Sequence, residues 1–326
     1  MTNPVPLRRV GDSGLMVSAI GLGCNNFGRA GTRTETLEGT RDVLDAAIDA
    51  GVTFLDTADV YGREFGLSET LMGEALRGRR DEVVIATKFG HAQLAPAMTG
   101  GAKASRATIR RSVEGSLRRL QTDYIDLYQL HTPDPETPID ETLDALGDLV
   151  REGKVRYIGH SNFTGWQIAE ADAAALGSVR FVSAQNQYSL LARAAEREVL
   201  PAARRFGLGF FPFFPLHNGL LTGKFTREGG PADSRILRQR PHLWRDAPWD
   251  VLESYRGLAE EHGASMLEAT FAWLLAQEPV SSVIAGATSA EQVRANAAAA
   301  TAWEPDDDAL TAIDALLPLP ADPAAG

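Results

Sequence analysis

Short apolar runs alternate with longer amphipathic stretches eight times along the 326 residues, and this alternation constrains the fold more than any other feature of the chain. Strand followed by helix, repeated, predicts a parallel sheet. Eight such units predict an α/β architecture closed into a (β/α)8 TIM barrel. The expected strands are Ile20–Gly23, Thr53–Asp56, Glu82–Thr87, Tyr124–Leu130, Val155–His160, Phe181–Asn186, Gly209–Pro212 and Ser282–Gly286. Helices are expected at Leu37–Ala50, Ser105–Leu120, Thr137–Arg151, Thr164–Leu176, Ala194–Phe206, Trp249–His262 and Ala290–Ala300, with Gly51 and Gly153 as stops. The pattern implies one domain over residues 1–326.

Three segments fall outside the repeat. Arg8–Ser18, around a Gly-Asp-Ser-Gly turn, reads as an N-terminal β-hairpin. Gly90–Lys103 reads as a flexible Gly/Ala-rich loop, and His217–Pro248 as a long loop rich in Gly, Pro and basic residues. Both long loops follow strands, which places them on the C-terminal face where barrels build their sites. The Pro- and Ala-rich residues 317–326 read as a loose tail. The net charge of −11 gives no general attraction to nucleic acid or anionic lipid. No apolar run reaches the roughly 18 residues of a membrane span. Met1–Val10 lacks the apolar stretch of a signal peptide, so a cytoplasmic location is expected. The single cysteine, Cys24, rules out an internal disulfide and a cysteine-rich metal site.

Familiar nucleotide and hydrolase motifs are missing. Gly21-Leu-Gly23 runs into Cys-Asn-Asn and does not complete G-x-G-x-x-G; Tyr-x-x-x-Lys, G-x-S-x-G and H-E-x-x-H are absent. What stands out is a group of polar residues where apolar strands stop. Asp56 ends the second strand in Phe54-Leu-Asp-Thr-Ala-Asp-Val-Tyr-Gly62, and Tyr61 lies in the loop beyond it. Lys88 ends the third, in Ile85-Ala-Thr-Lys-Phe-Gly90, and His131 the fourth, in Leu127-Tyr-Gln-Leu-His131. Neighbouring strands of a barrel would gather all four over one mouth.

Such a group suits carbonyl reduction, which needs a proton for the developing alkoxide. A free phenol titrates near 10. A neighbouring Lys88 ammonium would lower that value, with Asp56 holding the lysine charged. His131 would orient the carbonyl oxygen or share in proton delivery. Each residue also has a plainer reading: Asp56 as a loop cap, Tyr61 as a packed aromatic, His131 as a structural histidine. Lys88 resists one, because a buried lysine is costly unless paired.

On these residues the chain resembles the aldo-keto reductase superfamily, including its potassium-channel β-subunit-like branch. Asp56-Thr-Ala-Asp-Val-Tyr-Gly62, Thr87-Lys-Phe-Gly90 and Gln129-Leu-His131 look like that family's tetrad motifs, and Gly153-Lys-Val-Arg-Tyr-Ile-Gly-His-Ser-Asn-Phe163 like another of its signatures. The likeness runs from about Leu7 to Ala300. It implies direct hydride transfer to an aldehyde or ketone from NADPH, with NADH as the alternative, no metal, and Asp56, Tyr61, Lys88 and His131 as the catalytic group with Tyr61 as acid. It further implies that Ser161, Asn162 and Gln185 hold the nicotinamide carboxamide and that Phe213 stacks on the ring. Pro215, Leu216, Gly219, Lys224 and Arg235 would close over the pyrophosphate and adenosine, and Gly286, Thr288, Gln292 and Asn296 would hold the adenosine end.

The chain departs from the family pattern at Phe214, in place of a common Ser, at Ala285, in place of a frequent Pro, at Thr288, where a basic or polar residue is common, and at Ala295, in place of a common Glu. Lys224, Arg235 and Arg294 are the basic residues expected to compensate near a 2′-phosphate. Cys24, Asn25 and His160 are expected to line the substrate pocket beside the four catalytic residues, with His160 alternatively a packing residue. With Asn26, their polarity favours short or hydroxylated aldehydes as the small-molecule partner. Two other classes stay open: a nucleotide-binding regulatory subunit, and a lyase forming a Schiff base on Lys88.

Overall fold

The structure, a computed structural model, describes residues 5–91, 93, 102–232 and 234–321. Most of the loop expected at Gly90–Lys103, and the tail's end at residues 322–326, lie outside the described residues. Strands β1 (Leu7–Arg9) and β2 (Met16–Ser18) form the expected antiparallel hairpin. The parallel strands follow in turn: β3 (Ile20–Gly23), β4 (Phe54–Asp56), β5 (Val84–Phe89), β6 (Ile125–Leu130), β7 (Val155–Ser161), β8 (Ser183–Gln187), β9 (Gly209–Phe213) and β10 (Val283–Gly286). They pair in the order β10-β3-β4-β5-β6-β7-β8-β9. A parallel bridge between Phe210 and Val280 joins the two ends of the sheet, with the Ser281 N–H donating to Phe210 O at 2.9 Å. The result is a nearly closed (β/α)8 barrel.

Helices α1 (Leu37–Asp49), α2 (Leu67–Ala75), α3 (Arg106–Leu120), α4 (Ile139–Arg151), α5 (Gly165–Ala174) and α6 (Val199–Arg205) follow successive strands. The long loop after β9 carries two short helices, α7 (Arg235–Gln239) and α8 (Pro241–Arg245). Helices α9 (Trp249–Glu261) and α10 (Met266–Ala276) precede β10, and α11 (Ala290–Ala299) and α12 (Asp307–Leu316) follow it. Among the described residues no helix is long and apolar enough to cross a membrane.

Strand alternation separates two cores. Phe54, Ala86, Leu127, Phe211 and Ile284 point into the barrel, and Val10, Leu15 and Val17 of the hairpin pack beneath them. The hairpin thus plugs the N-terminal end. Its turn needs glycine at Gly11: φ is +52°, and an added Cβ would stand 2.2 Å from Gly207 O. Two residues further along the same inward faces the chain turns polar, at Asp56, Lys88 and Gln129. The barrel is therefore sealed by apolar side chains at one end and chemically equipped at the other.

One expectation needs correction, and one helix stood outside the expected set. The helix expected over Ala194–Phe206 is broken into a single 3-10 turn, Ala194–Glu196, and α6. Pro201 is the reason: it has no N–H to donate, and its ring would clash with the Arg197 carbonyl in a continuous helix. Helix α10 was hidden because it is apolar nearly all round, with Met266, Ala269, Thr270, Phe271, Ala272, Trp273 and Leu274 buried, so no amphipathic period marks it. At the start of the tail Leu317 is buried and its carbonyl accepts from Arg193 Nη1 at 2.6 Å, while Arg197 Nη2 donates to Ala321 O at 2.8 Å from the exposed stretch beyond.

Candidate active site

The four strand-end residues converge on the C-terminal mouth. Lys88 has no exposed surface, and its Nζ donates to Asp56 Oδ1 and Oδ2 at 2.7 and 2.6 Å and to Thr57 O at 2.9 Å. Asp56 also accepts from Gln129 Nε2 at 3.3 Å and Gln185 Nε2 at 2.9 Å. Lys88 Nζ lies 5.3 Å from the centre of the Tyr61 ring, and the His131 ring meets that ring edge-on at 5.8 Å. Register explains the convergence. Lys88 lies beside Gln129 across β5 and β6, and Ser161 beside Gln185 across β7 and β8, so inward positions of successive strands share one layer.

Burial draws the Lys88 ammonium down, but Asp56 and the Tyr61 phenol more than offset it, and the lysine ends above its ordinary value. The expected net lowering of Tyr61 does not hold. Enclosure by the cavity walls pushes the phenol up, and Lys88 only partly pulls it back against Asp56. Tyr61 therefore keeps its proton across the physiological range, which is the form a proton donor needs. His131 is held neutral, well below its ordinary value, by burial and then by the charges of Lys88, His91 and Lys103.

Asp56, Tyr61 and His131 open onto a cavity of about 1090 Å³. Its wall includes Asn25 and every one of the expected nucleotide-contact positions: Ser161, Asn162, Gln185 and Phe213 near the tetrad, Pro215, Leu216, Gly219, Lys224 and Arg235 along the loop after β9, and Gly286, Thr288, Gln292 and Asn296 at the start of α11. Ser161 Oγ donates to Gln185 O at 2.8 Å, and Asn162, at φ +63°, donates through Nδ2 to His131 O at 2.9 Å. Arg235 is pushed down to about 10 by burial and by the facing charges of Arg29 and Arg240. Its Nε and the Ser234 Oγ are buried without a hydrogen-bond partner among the described residues. None of Arg29, Arg235 and Arg240 forms an ion pair with a described residue, so this wall is short of anions. A phosphate-bearing dinucleotide fits it: the orphaned donors and the crowded arginines both call for negative charge.

Sequence reasoning missed Arg29, Arg33, His91 and Arg238 on this wall. Arg238 had a readable signal, since it stands one helical turn after Arg235. His91 did too, as the residue directly after the Lys-Phe-Gly motif; its ring lies 4.7 Å from that of His131. Arg294 lines the neighbouring crevice between α1 and α11, with Asp42, Asp45 and Glu291, and not the main cavity.

Two pocket expectations are not met. Cys24 is wholly buried in the core between barrel and helices, its Sγ donating to Leu22 O at 3.4 Å. His160 alternates with the inward Gly159 and Ser161, so it points outward, where it packs against Phe163 and Phe181 at 4.3 and 5.1 Å. Both ring nitrogens lack partners among the described residues, and burial pushes the imidazole down to about 3. His160→Phe is therefore expected to leave catalysis intact. A depressed histidine contributes stability that is present above about 6.5 and lost as pH falls toward about 3. The variant should lack this loss, up to about 1.4 kcal/mol per pH unit, visible in unfolding midpoints compared at pH 7 and 5.

The model of the aldo/keto reductase family matches residues 19–318. The chain belongs to the aldo/keto reductase family. It is 40% identical, over 87% of its length and 88% of the relative's, to an uncharacterized oxidoreductase, YrpG, of Bacillus subtilis. A probable voltage-gated potassium channel subunit beta of rice is 37% identical over 89% of both chains. The L-glyceraldehyde 3-phosphate reductase of Escherichia coli K12 is 34% identical over 89% of this chain and 86% of its own. The protein is thus an oxidoreductase of this family, and the family match extends past Ala300 to include α12.

Proposed function

We propose that this aldo/keto reductase reduces short, polar aldehydes or ketones with NADPH, Tyr61 delivering the proton. The observation that carries the reading is the fully buried Lys88, bonded to both Asp56 oxygens, beneath a protonated Tyr61 that opens onto the cavity. A bound reduced nicotinamide supplies the hydride. Ser161, Asn162 and Gln185 would hold its carboxamide, and Phe213 would stand against the ring. As negative charge develops on the carbonyl oxygen, the Tyr61 hydroxyl donates its proton there, while Lys88 stabilises the phenolate left behind. Neutral His131 donates a hydrogen bond that orients the oxygen.

A Schiff base on Lys88 has no support. Its N–H groups are engaged by Asp56, Thr57 and Tyr61, and the ammonium is held charged without a nucleophilic lone pair. The substrate class rests on Asn25, Asn26 and His91 at the mouth and on the reductase of a phosphorylated three-carbon aldehyde among the relatives. Arg235 and Lys224, with Arg238, favour the 2′-phosphate. Arg235→Ala or Lys224→Ala is expected to weaken NADPH about tenfold and NADH less; equal losses in a binding titration would place the phosphate elsewhere. The direct test is a panel of aldehydes with NADPH and NADH, followed by cofactor absorbance. Turnover with NADPH supports the reading. Tight nucleotide binding without turnover favours instead a nucleotide-binding regulatory subunit, the rice relative being named a probable channel subunit beta.

A further inference from the structure

A second buried polar cluster lies behind the tetrad, and the proposed reaction does not use it. Glu69, on α2, has no exposed surface; it accepts from Thr87 Oγ1 at 2.5 Å and pairs with Arg119 of α3 at 2.6 Å. Thr87 directly precedes Lys88, so this contact pins β5 next to the lysine. Asp59 belongs to the loop that carries Asp56 and Tyr61, and its N–H donates to Lys88 O at 3.1 Å. The residue is 6% exposed, and its Oδ1 has no partner among the described residues. The groups that face it are Glu69 from α2, Arg119 from α3, Lys88 from β5 and Tyr128 from β6, whose buried hydroxyl also lacks a partner.

Charge counting decides what Asp59 is. The two cations are already taken, Lys88 by Asp56 and Arg119 by Glu69. An ionised Asp59 would be a third carboxylate in a water-poor interior with no cation of its own; the contact with its own backbone N–H and the pull of Arg119 and Lys88 do not offset burial and the Glu69 charge, so the ion is costly. We infer that Asp59 is a positioning residue for the proposed carbonyl reduction: it stands as the neutral acid beneath Lys88 and Tyr61, and its ionisation shuts the reaction off on the alkaline side. The added negative charge would tighten the proton on Lys88 and on Tyr61, and so make Tyr61 a poorer donor. Burial, and then Glu69, push the Asp59 carboxyl up to about 8, while Tyr61 sits above its ordinary 10, so the phenol itself does not set this limb. For stability the sign is that of a raised acid: its contribution is whole below about 4 and lost as pH rises through about 8.

The inference rests on the proposed reaction, and the test separates the two. Infrared titration of the ligand-free protein should show a protonated-carboxyl band that disappears through about pH 8 and is absent from Asp59→Asn. Kinetically, wild-type reduction should fall about tenfold by pH 9. Asp59→Asn, a neutral isostere, should match it near pH 6.5 and keep its rate at pH 9. Glu69→Gln should move the wild-type break the other way, to lower pH, because it removes the charge that opposes ionisation of Asp59. Opposite shifts from two neighbouring variants are not the signature of general destabilisation. Superimposable pH profiles, a Glu69→Gln break that does not move down, the absence of the band, or an Asp59→Asn enzyme crippled at pH 6.5 would each overturn the inference. A protein that shows the band but reduces no carbonyl contradicts the proposed function and the positioning role with it, while the neutral acid stands.

Discussion

Tyr61→Phe is expected to lower kcat for aldehyde reduction by about 10²–10⁴-fold while NADPH affinity stays unchanged. The variant removes one oxygen. The ring keeps its place against His131 and above Lys88, so the cavity wall keeps its shape. What is lost is, among the described residues, the cavity-facing hydroxyl next to the buried ammonium, and with it the proton for the developing alkoxide. Steady-state kinetics and a fluorescence titration with NADPH, run on the same preparation, separate the two effects. A variant that retains wild-type turnover would mean that His131 or water supplies the proton. That outcome conflicts with a histidine held neutral well below its ordinary range.

The second large effect concerns the ion pair itself. Lys88→Met is expected to abolish reduction and to destabilise the fold by about 3–5 kcal/mol, because it leaves the Asp56 charge buried with no cation. The two glutamine amides that remain, Gln129 and Gln185, soften the loss and do not replace a charge. Pairing the change with Asp56→Leu should return much of the stability, since replacing both partners by apolar groups is often nearly neutral, and should return no activity. Thermal unfolding of the two variants checks this. Equal stability of Lys88→Met and wild type would show that Asp56 takes up a proton in the variant.

The parts of the account legible in the sequence are those in which strand alternation and chemistry agree. Asp56, Lys88 and His131 each end an apolar run on the inward phase, and a lysine there has no inexpensive structural reading. The same alternation, applied strictly, would have turned His160 outward, because Ser161 beside it has to face the cavity. Pro201 likewise carried a readable objection to a continuous helix. Other features were out of reach of local pattern. The burial that outweighs Lys88 at Tyr61 comes from walls contributed by distant loops. Arg29 reaches the cavity wall only because the loop after β3 brings it to face Arg235 of α7. Asp59 lies within the tetrad motif, yet its isolation depends on Glu69 and Arg119, which arrive from two helices. Helix α10 had no amphipathic face to betray it.

The central claim is direct hydride transfer to a carbonyl with Tyr61 as the acid. It is tested most directly by supplying a short polar aldehyde with NADPH deuterated at the transferring position and analysing the alcohol by mass spectrometry. The account predicts one deuterium on the carbinol carbon for each NADPH consumed by the wild type, and almost no alcohol from Tyr61→Phe. Alcohol without deuterium, equal yields from both proteins, or NADPH bound tightly and never consumed would contradict it.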